Sequence, residues 1–136
     1  MRVFFLALAI TLAATTPAQA SGRCAALVAK QTAVGRAGDA ALVARLGKQQ
    51  LAASDIGPVM VEGPWRLVWA TPHDAERGVY FFRREGSSGL RLIDIWGGVL
   101  APGEREAGMG WARKLRGGGP SVRLAGCFAD AVVAGN

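Results

Sequence analysis

The sequence predicts an α+β fold: two N-terminal helices, a three- or four-stranded antiparallel meander and two C-terminal helices, with the terminal helices joined by a disulfide. Three observations carry this expectation. Apolar residues recur at helical spacing near both ends of the chain, and the middle changes to aromatic and β-branched runs bounded by turn residues. The two cysteines, Cys24 and Cys127, each fall on one of the terminal apolar stripes, so a bridge between them would join two helices where both face the core.

Ahead of the first helix the chain reads as a secretory leader. Arg2 supplies a positive start, Val3 to Ala14 form an apolar run too short to span a membrane, and Ala18-Gln19-Ala20 offers a small-residue cleavage site before Ser21. Residues 1–20 are therefore expected to be a signal peptide and residues 21–136 one α+β domain, periplasmic or secreted, with no transmembrane segment after processing. Lipid attachment at Cys24 is disfavoured, because Arg23 stands where lipid-anchoring sites want a small apolar residue. An oxidising compartment favours pairing the two cysteines, and closing a loop of about 100 residues contributes up to ~4.7 kcal/mol in the chain-entropy model.

From Cys24 to Val34 the positions Cys24, Leu27, Val28 and Val34 suggest a short amphipathic helix. Gly35-Arg36-Ala37-Gly38 reads as a break, and Asp39 as the N-cap of a second helix that carries Leu42, Val43 and Leu46 and runs to about Ala53. Past Gly57-Pro58 and Gly63-Pro64, three strands are expected over Trp65 to Ala70, Gly78 to Arg84 and Leu90 to Trp96, with a short edge strand at Val59 to Val61. The short loops between them imply an antiparallel meander. Several strands are apolar on both sides, so either helices cover both sheet faces or a partner covers one. Glu104 to Arg116 then reads as a helix with acid first, base last and a glycine stop. After Pro120-Ser121, Leu124, Cys127, Phe128, Ala131 and Val132 give the cleanest helical period in the chain.

The net charge is +6, and loss of Arg2 with the leader leaves +5. That excess favours an anionic partner, such as an envelope protein or an anionic surface; nucleic acid is not expected in that compartment. One histidine and two paired cysteines leave no metal-ligand cluster, and neither a metal nor a cofactor is expected. His73-Asp74 looks like a fragment of a catalytic pair, but it sits in a Pro-containing turn with no third group. Asp94 is the one catalytic candidate: alternation would place it on one face with Leu92 and Trp96, where apolar neighbours would raise its pKa, unless Arg83 or Arg84 pairs with it. Trp65, Trp69 and Trp96 are ligand-binding candidates, with core packing the alternative for them and for Trp111. Lys114, Arg116 and Arg123 flank the Gly117-Gly118-Gly119-Pro120-Ser121 turn, whose amides could hold an anion.

The expectation is a soluble, non-catalytic binding or accessory protein for an anionic or apolar partner. One alternative is a small metal-free acid–base enzyme using Asp94 in a Trp-lined pocket. The other is a structural domain that forms oligomers by closing an apolar sheet face.

Overall fold

The computed structural model describes residues 18–133. In chain order the elements are α1 (Ala18–Ala25), α2 (Ala33–Gly47), β1 (Ile56–Glu62), β2 (Trp65–Ala70), β3 (Gly78–Arg84), β4 (Leu90–Gly97), α3 (Arg105–Arg113) and α4 (Val122–Val132). The strands form one antiparallel sheet in the order β1-β2-β3-β4. The apolar run of the expected leader lies outside the described residues, and the expected cleavage point between Ala20 and Ser21 falls within α1.

The sheet is covered on both faces by helices of the same chain. On one face Trp65, Leu67, Trp69, Val79 and Phe81 pack with Ala112 and Leu115 and with Leu124, Phe128 and Val132 of α4. On the other, Ile56, Val59, Val68, Tyr80 and Phe82 meet Ala40 and Val43 of α2. This double cover is why β2 and β3 read as continuous apolar runs. It also removes the exposed apolar sheet face on which the oligomer alternative depends. Phe81 and Phe128 lie edge to face at 4.9 Å, and Trp96 and Trp111 meet at the same distance, so the α3–α4 side is an aromatic core.

Cys24 and Cys127 form the expected disulfide, with a Cα–Cα distance of 5.5 Å, joining α1 to α4. The N-terminal helices differ from expectation. The stretch from Cys24 to Val34 is not a helix: α1 ends at Ala25, the chain turns, and Leu27 to Ala29 runs beside β1. The Ala29 amide donates to the Val59 carbonyl and the Val61 amide to the Leu27 carbonyl, each at 2.8 Å. Those bonds satisfy the outward backbone groups of β1, a requirement that outweighs the helical spacing of the apolar residues. Val34, counted on that stripe, is 83% exposed.

The second helix begins earlier and stops sooner than expected. Thr32 is its N-cap, accepting from the Gly35 amide at 3.0 Å, and α2 runs through Gly35-Arg36-Ala37-Gly38 to Gly47, where Lys48 turns into the left-handed region at φ 54°. Asp39 is therefore not a cap. It lies mid-helix, 4% exposed, and accepts both guanidinium bonds of Arg66 from β2 at 2.8 Å. A buried carboxylate is stable there because a bidentate arginine compensates its lost hydration. The edge strand is longer than Val59 to Val61, because the Gly57-Pro58 region is accommodated by an irregularity between Ile56 and Val59.

Two outcomes follow. Replacing both cysteines by alanine is expected to lower unfolding free energy by about 2–4 kcal/mol, and wild type under reducing conditions to match the double variant in urea titrations. Asp39→Asn leaves Arg66 without its charge partner and is expected to lose about 1–3 kcal/mol. The paired change Asp39→Leu with Arg66→Met should recover most of that loss in the same titrations.

Candidate functional site

The residues singled out from sequence do not converge. Asp94 is exposed, and its Oδ1 accepts from the Ile95 amide at 2.8 Å. A register shift between Phe81 and Phe82 sets Asp94 opposite Phe81 and Leu92 opposite Phe82, leaving Ile93 as the extra residue. Leu92 consequently packs on the α2 side and Trp96 on the α3–α4 side, which breaks the expected common face. Trp65 and Trp69 are 5% and 2% exposed in the core, and Trp96 packs against Trp111 and Phe128. The expectation of Asp94 inside a Trp-lined pocket is corrected on both counts.

His73 pairs with Asp55 rather than Asp74, its Nε2 lying 2.9 Å from Asp55 Oδ2, which also accepts from the Ala52 amide. Together with the bond from the His73 amide to the Gln50 carbonyl, this ties the loop after β2 to the turn before β1. The pair holds two loops together.

The glycine turn after α3 turns three carbonyls toward a cation. Arg83 Nη1 donates to the carbonyls of Arg116, Gly117 and Gly118 at 3.0, 2.9 and 3.3 Å, while Nη2 donates to Glu85 at 2.7 Å. The same guanidinium lies 5.5 Å from the Trp65 ring centre. A cation therefore fills the place where the sequence suggested an anion, consistent with the negative end of α3. Gly119 is required in this turn, since a Cβ there would lie 2.2 Å from the Ala112 carbonyl oxygen. Lys114 and Arg116 are exposed on either side of Leu115, and Arg116 borders a small cavity of about 160 Å³ with Arg83, Glu85, Arg91 and Ile93. Arg123 faces elsewhere.

Arg123 belongs to the largest cavity described, an open groove of about 800 Å³ between α1, α3 and α4. Its α4 wall comes from Val122, Arg123, Gly126, Cys127 and Asp130, positions that share one helix face. Arg105 and Met109 enter from α3, four residues apart; Arg23 and Cys24 enter from the last turn of α1, held there by the disulfide. Arg105 donates to Asp130 at 2.5 and 3.3 Å and to Glu106 at 2.7 Å, and the Asp130 carboxylate holds the guanidinium above its ordinary value. Arg123 donates to the Arg23 carbonyl at 3.1 Å and stands 3.7 Å from Glu62, whose carboxylate also accepts from the Ser121 hydroxyl. The Arg23 guanidinium has no side-chain partner among the described residues.

Of these residues only Arg123 stands out in the sequence as a site candidate; Arg23, Arg105, Met109 and Asp130 do not. One local signal was available: Gly126 sits inside a helix, where glycine is unfavourable by roughly 0.5–1 kcal/mol relative to alanine. A Cβ at Gly126 would lie 3.3 Å from Arg105 Nη2, so the bare backbone lets the guanidinium lie across α4 toward Asp130. Among the described residues no group of three or more His, Cys, Asp and Glu is placed to hold a metal. No family model, curated protein or solved structure matches the chain.

Glu85 gives a pH test of the Arg83 cluster. Hydrogen bonds from Arg83 and then Arg91 hold its carboxyl below the usual carboxylate range. A depressed folded-state pKa contributes stability above the unfolded value, near pH 4.3, and that contribution is lost as the pH falls through the folded value. Thermal unfolding from pH 7 to pH 3 should show a larger loss for wild type than for Glu85→Gln. Parallel curves would remove the cluster from the acid response.

Proposed function

We propose that the protein is an exported, non-catalytic binding or accessory protein whose anionic partner is held in the groove between α1, α3 and α4. The observation that carries this reading is the charge of the lining: among the described residues, Arg23, Arg105 and Arg123 line the cavity with one carboxylate, Asp130, while Glu106 and Glu62 reach Arg105 and Arg123 from beside it. Partner recognition through guanidinium forks suits carboxylate, phosphate or sulfate groups. Export is supported by the leader pattern of residues 1–20 and by the disulfide. Among the described residues, no helix is long and apolar enough to cross a membrane.

Amide chemical-shift mapping of the labelled protein checks the reading, using acetate, inorganic phosphate and a medium-chain carboxylate as probes. Shifts should cluster on residues 23–24, 105–109 and 122–130, shrink with added salt, and fade in the double variant Arg23→Gln with Arg123→Gln. Shifts confined to other surfaces, or none with any probe, would sink it.

A further inference from the structure

We infer that the ligand of this groove is a single-chain amphipathic anion, an acyl chain bearing one carboxylate, bound as a free molecule. This rests on the binding reading above and adds the chemical class of the ligand. The volume of about 800 Å³ suits one small molecule, since such sites run from ~300 to 1,000 Å³.

The lining is divided along α4. At the N-terminal end Arg123 bonds the Arg23 carbonyl, and the Arg23 guanidinium lines the same groove with no side-chain partner among the described residues; the helix field there also favours an anion. Along the middle, Met109, the bare backbone of Gly126 and the Cys24–Cys127 bridge make an apolar floor, with Val122, 60% exposed, at its rim. At the far end, Asp130 and Glu106 already neutralise Arg105. Arg123 and Asp130 are separated by about 10 Å along the helix axis. The groove thus has one cationic end, where Arg123 is met by Glu62 at 3.7 Å and the Arg23 guanidinium has no side-chain partner among the described residues, and an apolar track leading away from it.

An inorganic anion would complement the arginines and leave the track in water. An uncharged apolar molecule would cover the track and leave Arg23 without a partner. These walls are helical, so an extended peptide finds no strand edge to join here. Glu62 already places a carboxylate 3.7 Å from Arg123, so the ligand head would compete with it for that guanidinium.

The experiment is calorimetric titration of the purified protein with decanoate, decanol, acetate and phosphatidylglycerol vesicles. Decanoate should bind at one site about tenfold or more tighter than acetate or decanol. Arg23→Gln with Arg123→Gln should weaken decanoate by about tenfold, and Val122→Asp should weaken it while acetate is unaffected. Glu62→Gln, which removes the resident competitor, should tighten it. Circular dichroism melts of each variant separate lost binding from lost folding. Equal binding of acetate and decanoate would overturn the acyl-chain inference while leaving the anion-binding reading intact, as would vesicle binding without saturable decanoate uptake. Equal binding of decanol would remove the need for charge, and silence from every probe would end both proposals.

Discussion

The two middle strands must be dry on both faces, and the architecture follows from that requirement. Trp65, Leu67, Trp69 and Phe81 point to one side while Val68, Tyr80 and Phe82 point to the other, so neither face can be left to water. The chain resolves this by sending α2 to one face and α3 and α4 to the opposite one. Polar groups that enter these layers are compensated where they lie: Asp39 by Arg66 beneath α2, and the last carbonyls after α3 by Arg83. Burial also pushes the Tyr80 phenol above its ordinary pKa, as expected for a hydroxyl held against the α2 layer.

The disulfide connects this packing to the groove. Among the described residues α1 packs chiefly against α4, and the covalent tie at Cys24 keeps its last turn against that helix. Without the tie, Arg23 would have no fixed relation to Arg123, although the two are 100 positions apart in sequence. A bond that reads first as a stabilising staple thus also builds one wall of the candidate site. The groove's electrostatic asymmetry has the same origin, since Arg105 is satisfied by α4 and its own neighbour while Arg23 arrives on α1 with no side-chain partner among the described residues.

Much of the fold was legible from local pattern. β2 and β3 fall where aromatic and β-branched runs end at turn residues, β4 extends one residue further, and α4 follows its apolar period from the Ser121 cap. The N-terminal third was less legible. Gly35 and Gly38 read as a break, yet α2 runs through both because Thr32 caps its start and Ala40 and Val43 pack on the sheet. Little of the candidate site was legible: in sequence Arg123 stands beside the glycine turn, whereas in the fold it lines the α1–α3–α4 groove, and Arg23 belongs to no local pattern. Leu92 is separated from Asp94 and Trp96 by one extra residue in β4, since a single-residue bulge reverses the faces that alternation assigns.

By itself the sequence determined the α+β class, the strand positions, the last helix and the pairing of its two cysteines. Each depends on periodicity, turn chemistry or the absence of a competing partner, and these act within a few residues or follow from simple counting. Tertiary structure alone decided which helix covers which face, that Asp39 meets Arg66, that Asp94 stands in water, and that Arg23, Arg105 and Arg123 share a groove. Those outcomes depend on where elements separated by up to a hundred residues come to rest, and no local pattern encodes the space between them.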